Sequence, residues 1–180
     1  MNVFLMGFMG SGKTSIGRPL ASQLGMNFID LDSVLETNEQ LKVSEIFNDK
    51  GEDYFRNLEH SWLSTFNGIN SLISVGGGTP CFNNNLKQME EKGVTIYLKL
   101  PVQMLANRLI NAKAIRPIIE PYRHDKEALI NFISVLLVER EKYYKKADLV
   151  FETSNLTANK KSLLVEMIKK CLQKKTDLLQ

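Results

Sequence analysis

The chain has 180 residues, a length that suits one domain or one core with small appendages. Its hydrophobic share, 43%, is ordinary for a globular protein with a real core. Net charge is only +3, and the lysines crowd at Lys169, Lys170, Lys174 and Lys175 as on a solvated helix face; with no basic stripe interleaved with aromatics, nucleic-acid binding is not expected.

Val3-Phe4-Leu5-Met6 is short, apolar and partly β-branched, and predicts a buried strand. Gly7-Phe8-Met9-Gly10-Ser11-Gly12-Lys13-Thr14 follows and fits the phosphate-binding pattern G-x-x-x-x-G-K-[ST]. Ser15 to Leu24 then places Ile16, Leu20 and Leu24 four apart, which predicts a helix. A strand, a glycine-rich loop and a helix start in that order make an anion site. Backbone N–H groups converge there, and the helix dipole adds positive charge. Glycines let the backbone approach phosphates without Cβ clashes. The expected nucleotide contacts are Gly10, Ser11, Gly12, Lys13, Thr14 and Ser15. Lys13 would reach the β- and γ-phosphates of ATP, and the Thr14 hydroxyl would ligate Mg²⁺.

Asn27-Phe28-Ile29-Asp30 reads as the second strand. Ser33-Val34-Leu35-Glu36 has the form of a capping box and predicts that a helix starts there. Asp30 and Asp32 then fall at the C-terminal end of a strand, the edge where open parallel sheets bind ligands. In extended chain, residues two apart share a side, so both carboxylates could face one crevice; turn or N-cap aspartates are the plainer alternative. Residues 33–66 read as helical in pieces, broken at Gly51. Arg56 and Glu59 share a helix face, either as a surface ion pair or as a carboxylate that orients an arginine for an anionic ligand.

Leu72-Ile73-Ser74-Val75 predicts the third strand, and Gly76-Gly77-Gly78 directly after it suggests close approach of backbone to a ligand. Many P-loop proteins carry a metal-organising acid near the end of this strand. Ser74 stands in that region, so Asp30 becomes the natural candidate. A helix over Leu86 to Glu91 and a fourth strand, Val94 to Leu98, come next. Pro101 suits the first turn of a helix whose stripe is Val102, Leu105, Leu109 and Ile110. From Asn111 to Arg123 periodicity is lost, and Arg116-Pro117 lies within; a lid carrying an arginine is expected over 111–124. A long helix from His124 to about Lys146 carries Leu129, Ile133, Leu136 and Arg140 on one stripe. A charge on an inward stripe needs a partner, and none is evident; Arg140 either snorkels or meets a ligand carboxylate. Leu149-Val150-Phe151 is the fifth strand, and Thr157 caps a last helix with Leu163, Leu164, Met167, Ile168 and Leu172 on its apolar face.

Strands alternating with helices predict a parallel sheet covered on both faces, a three-layer α/β/α domain. One domain is expected over 1–180, with a small helical substrate-binding region at 33–66 and the lid at 111–124. Cys81 and Cys171 show no metal-type spacing and fit a reducing compartment. Met1 leads almost directly into the first strand, and no apolar run is long enough to span a membrane. A cytoplasmic monomer without membrane or nucleic-acid partners is expected.

With these residues assembled, the chain resembles the shikimate kinase family over nearly its whole length. The resemblance rests on Gly7 to Thr14, Asp30-Leu31-Asp32, Phe55-Arg56-Asn57-Leu58-Glu59, Gly76-Gly77-Gly78, Arg116-Pro117 and Arg140-Glu141-Lys142-Tyr143. It implies transfer of the ATP γ-phosphoryl group to the 3-hydroxyl of shikimate, on the route to chorismate and the aromatic amino acids. It implies that Asp30 joins Thr14 in the Mg²⁺ shell and that Asp32 binds the shikimate hydroxyls near the attacking oxygen. Arg56, Arg140 and Gly76, Gly77 and Gly78 would bind shikimate, the arginines mainly through its carboxylate, with Glu59 supporting Arg56. Arg116 would close with the lid onto the phosphates, and Ser154 and Asn155 would lie at the adenine. Arg108 is the nearest candidate for stacking on adenine. The rival readings are another small P-loop kinase, of gluconate or nucleotide type, and a nucleotide-dependent binding protein without transfer activity.

Overall fold

The structure is a computed structural model that describes residues 1–112 and 117–178. Five parallel strands form one sheet: β1 (Asn2–Met6), β2 (Asn27–Asp30), β3 (Ser71–Ser74), β4 (Gly93–Lys99) and β5 (Leu149–Glu152), in the order β2-β3-β1-β4-β5. β1 is central. Its Val3, Phe4 and Leu5 pair with Leu72, Ile73 and Ser74, and its other edge pairs Asn2 through Met6 with Gly93 through Tyr97. Every residue of β1 is buried, as befits a strand covered on both faces.

Alternation along β1 divides the core in two. Phe4 and Met6 face a layer built from α2 (Leu31–Glu39), α3 (Val43–Thr65), α4 (Asn85–Lys92), α5 (Val102–Ile110) and α6 (Lys126–Tyr144). Val3 and Leu5 face α1 (Lys13–Leu24) and α7 (Ala158–Asp177). Helix α1 lies close on the sheet because Gly17 faces it: a Cβ there would sit 2.7 Å from the Phe28 ring and 2.9 Å from Leu5. The expected three-layer α/β/α arrangement is thus the observed one.

Several local expectations need correction. Helix α2 starts at Leu31, not at Ser33, because Asp30 is the N-cap and its carboxylate accepts the Ser33 N–H at 3.4 Å. Asp32 therefore lies in a first helical turn, and strand alternation does not decide where it points. On α6 the innermost stripe is Leu129, Ile133, Leu137, Arg140 and Tyr144, so Leu137 replaces Leu136 as the most buried leucine of that turn. On α7, Leu164 and Ile168 are buried while Leu163 is half-exposed, one residue off the apolar face. Gly51 does break α3, at φ 84° and ψ 168°.

The span 111–124 is described only in part. Pro117–Tyr122 forms a 3₁₀ helix; Ile119 is buried in the core, and the Tyr122 ring stacks on Phe132 at 4.6 Å. Arg116 lies outside the described residues.

Candidate active site

The C-terminal ends of β1, β2 and β3 open into a cavity of about 1360 Å³. It runs from the Gly7–Thr14 loop across Asp30 and Asp32 to Arg56, Gly76, Gly77, Gly78 and Arg140. The fold brings these residues together from the loop after β1, the β2–α2 junction, α3, the turn after β3 and α6.

The loop is shaped by its glycines. Gly10 has φ 80° and Gly12, the N-cap of α1, has φ 99°, backbone conformations that favour glycine. Helix α1 begins directly behind Gly12, so its first amides and its dipole point at the cavity. Lys13 Nζ donates to the Gly7 carbonyl at 2.8 Å and to the Phe8 carbonyl at 3.2 Å, which folds the side chain back over the loop. Thr14 Oγ1 donates to Asp30 Oδ2 at 2.7 Å. The carboxylate that caps α2 is thus the one that meets the loop hydroxyl, and the capping and metal readings of Asp30 are compatible. A hydroxyl and a carboxylate side by side fit Mg²⁺, which takes few protein oxygens alongside phosphate and water. Among the described residues no cluster of three or more His, Cys, Asp or Glu side chains forms a separate metal cage. Arg108 Nη1 donates to the Gly10 carbonyl at 3.0 Å, and Arg108 lines the cavity beside the loop.

At the other end of the cavity, two arginines are buried. Arg56 is 7% exposed and Arg140 is 6% exposed. The Arg56–Glu59 pair is no surface ion pair. Glu59 is fully buried; its Oε2 accepts Arg56 Nη1 at 2.7 Å, and its Oε1 accepts the Thr79 hydroxyl. Glu52 takes the remaining edge, accepting from Arg56 Nε at 3.0 Å and Nη2 at 2.8 Å. Burial opposes the Arg56 charge, but Glu59 and Glu52 beside it together outweigh that and hold the guanidinium above its ordinary pKa. Burial also pushes the Glu59 carboxyl above the usual range, against the pull of Arg56 and Thr79, with Asp32 adding to the rise.

Arg140 differs. Its guanidinium lies over the Phe8 ring, 5.3 Å from the centroid, and its buried Nη1 has no hydrogen-bond partner among the described residues. Below it, the Tyr144 hydroxyl donates to the Gly77 carbonyl. Burial raises the Tyr144 pKa, against the pull of Arg140, so the hydroxyl stays a neutral donor.

The glycine run is explained by crowding among the protein's own charged groups. A Cβ on Gly77 would lie 3.1 Å from Arg140 Nη1, and one on Gly78 would lie 2.5 Å from Arg56 Nη2. One on Gly76 would lie 2.7 Å from Glu59 Oε1 and 3.0 Å from Asp32 Oδ1. Larger residues would displace both arginines and both carboxylates.

Of the residues expected from sequence, Gly10, Gly12, Lys13, Thr14, Ser15, Asp30, Asp32, Arg56, Gly76, Gly77, Gly78 and Arg140 line the cavity. Ser11 is buried beneath the loop, its Oγ unpartnered among the described residues. Asn155 is not on the wall; its neighbours Thr153 and Leu156 are. Sequence reasoning missed Phe8 beneath Arg140, Lys161 on the wall, and the Thr79 hydroxyl on Glu59. Only Thr79 carried a signal, its place immediately after the glycine run.

A family model described as "Shikimate kinase" matches residues 9–174. A shikimate kinase from Azobacteroides pseudotrichonymphae genomovar. CFP2 is 40% identical over 159 residues, covering 87% of this chain and 92% of that protein. The crystal structure of shikimate kinase from Bacteroides thetaiotaomicron superposes with a TM-score of 0.82 at 32% identity, covering 96% of this chain and 98% of that one. A structure of shikimate kinase from Acinetobacter baumannii in complex with shikimate gives 0.78 at 26% identity, covering 97% and 94%.

Proposed function

The chain belongs to the shikimate kinase family and phosphorylates shikimate with ATP and Mg²⁺; we propose that the acceptor is the 3-hydroxyl and that the cavity's residues divide the work as follows. Phosphoryl transfer asks little covalent chemistry of a protein and much positioning and charge neutralisation. Gly10, Ser11, Gly12 and Ser15 supply the loop and first-turn environment for the phosphates, and Lys13 swings from its carbonyl partners to the β- and γ-oxygens. Thr14 and Asp30 hold Mg²⁺, which when bound neutralises charge on the phosphate oxygens. Asp32, on the wall between the loop and the arginines, orients the attacking hydroxyl and accepts its proton. Arg56 and Arg140 grip the carboxylate of shikimate, with the glycine run as the floor beneath them.

Arg116 closes onto the phosphates with the 111–124 lid, and Asn155 borders the adenine. The 33–66 region serves as the acceptor-binding part of one 1–180 domain. The setting we infer is a cytoplasmic monomer with no nucleic-acid or membrane partner. Both cysteines are free, and no helix among the described residues is long and apolar enough to cross a membrane.

The observation that carries this reading is a P-loop and a buried arginine pair in one cavity, with a guanidinium N–H of Arg140 lacking a partner among the described residues. A small acceptor with a carboxylate satisfies that N–H; a nucleoside monophosphate offers a larger anion and a base that this end does not match. The test is an ADP-release assay across shikimate, gluconate and nucleoside monophosphates. Turnover with shikimate alone is expected. Preference for either rival acceptor would overturn the reading, and ATP binding without any phosphorylated product would make the chain a nucleotide-dependent binding protein.

A further inference from the structure

Glu59 is a fully buried carboxylate, and such a group persists only if its oxygens are occupied. One oxygen takes Arg56. The other takes the hydroxyl of Thr79, which is itself fully buried. Asp32 stands on the far side: the position a Cβ would take on Gly76 is within 3.0 Å of Glu59 Oε1, Thr79 Oγ1 and Asp32 Oδ1 alike. Without the Thr79 hydroxyl, that oxygen of Glu59 loses this hydrogen bond while the Asp32 charge nearby still opposes its own.

Thr79 is also held in place. It opens the 3₁₀ turn Thr79–Cys81, and its N–H donates to the Gly76 carbonyl at 3.2 Å. Its own carbonyl accepts the Asn85 amide at 3.0 Å. Asn85 is fully buried, and its Oδ1 lies 2.9 Å from His60 Nδ1 on α3. The side chain that supports Glu59 is therefore clamped between α3 and α4.

We propose that Thr79 is a positioning residue for the acceptor: its hydroxyl, acting through Glu59, fixes the guanidinium of Arg56 in the orientation that receives the substrate carboxylate. The proposal rests on the reading of Arg56 as a substrate-binding residue. A buried hydrogen bond lost from one side leaves its partner unsatisfied, and the cost falls on whichever group the partner was holding. Here that group is Arg56, which borders the acceptor end of the cavity and not the nucleotide loop.

Steady-state kinetics on Thr79→Val, near-isosteric without the hydroxyl, and Thr79→Ser, which keeps it, test the relay. In Thr79→Val the KM for shikimate should rise about tenfold or more. The KM for ATP should hold, kcat should change less than KM, and Thr79→Ser should restore the wild-type KM. In a Glu59→Gln background, Thr79→Val should add little, because the relay is already broken. A wild-type shikimate KM in Thr79→Val would overturn the proposal. So would an equal loss in Thr79→Ser, or full additivity with Glu59→Gln. Arg56→Ala is read alongside. If it leaves the shikimate KM unchanged, the reading of Arg56 itself fails; if it raises KM while Thr79→Val does not, only the relay fails. Should Thr79→Val not fold, Thr79→Ala with calorimetric shikimate binding carries the same expectations.

Discussion

Replacing Arg140 should separate substrate recognition from packing, because the two have opposite signs at this residue. In the free protein, Arg140 is 6% exposed and its Nη1 lacks a partner among the described residues. A buried donor left unsatisfied costs about 1–3 kcal/mol. Arg140→Met removes that donor and keeps apolar volume over the Phe8 ring. The free protein should therefore hold its Tm or gain; a relief of 1 kcal/mol corresponds to about 2–4 °C for a chain of this size. Catalysis should move the other way. Truncating one member of a desolvated, hydrogen-bonded charge pair costs about 2–5 kcal/mol. That is about 30-fold to several-thousand-fold in kcat/KM for shikimate. ATP affinity should change less than shikimate affinity, since Arg140 meets the loop at the Phe8 ring, which is not on the cavity wall. Lysine should rescue only in part, because a point charge lacks the guanidinium fork. The assay is steady-state kinetics and thermal unfolding on wild type, Arg140→Met and Arg140→Lys, with shikimate and with an analogue whose carboxylate is replaced by a neutral amide. Wild type and Arg140→Met should handle the amide about equally. A Tm that falls by several degrees, together with an equal loss on the neutral analogue, would refute the argument and make Arg140 a packing residue.

Lys13→Ala should leave the fold intact, since Lys13 sits on the cavity wall and outside both hydrophobic clusters, yet lower kcat by about 10²–10³-fold or more; full turnover in a folded variant would remove Lys13 from the phosphate site. If 111–124 closes over the phosphates, shikimate and a non-hydrolysable ATP analogue together should slow hydrogen exchange across that span more than either does alone, and unchanged exchange would count against closure. Burial, against the pull of Arg140 and Arg56, raises the Cys81 thiol to about 11, so its alkylation should stay slow at neutral pH and climb through that value. The thiol holds its proton more tightly in the folded state. Its contribution to stability is therefore present below the unfolded thiol pKa and lost as pH rises through about 11, and the difference between wild type and Cys81→Ala in alkaline unfolding should show that loss.

The features legible in sequence were those that local sterics decide. A strand, a loop with glycines at set intervals and a helix start fold the same way wherever they occur, so Gly7 to Thr14 could be read residue by residue. Arg140 could be flagged as needing a partner, because its place on an apolar helix stripe depends only on helical periodicity. Spacing could put Arg56 and Glu59 on one face but could not say whether that face met water or protein. Burial decided it, since α3 and the Thr79–Cys81 turn close over Glu59 from both sides. The aspartates show how a correct expectation can have a wrong cause. Both reach the cavity, but Asp30 does so as a helix cap bonded to Thr14, and Asp32 from a first helical turn. Periodicity alone could not choose strand over helix across so short a stretch. Asn85 and Phe8 gave no chemical signal, and Thr79 gave only its place after the glycine run. Their contacts cross 20 residues to Glu59, 25 to His60 and more than a hundred to Arg140. The sequence by itself thus determined the phosphate loop, the alternation of elements and the parallel sheet, because backbone conformation and hydrophobic period are properties of adjacent residues. Only the tertiary structure decided which charges share a buried wall, because that depends on which strand ends the sheet order sets side by side.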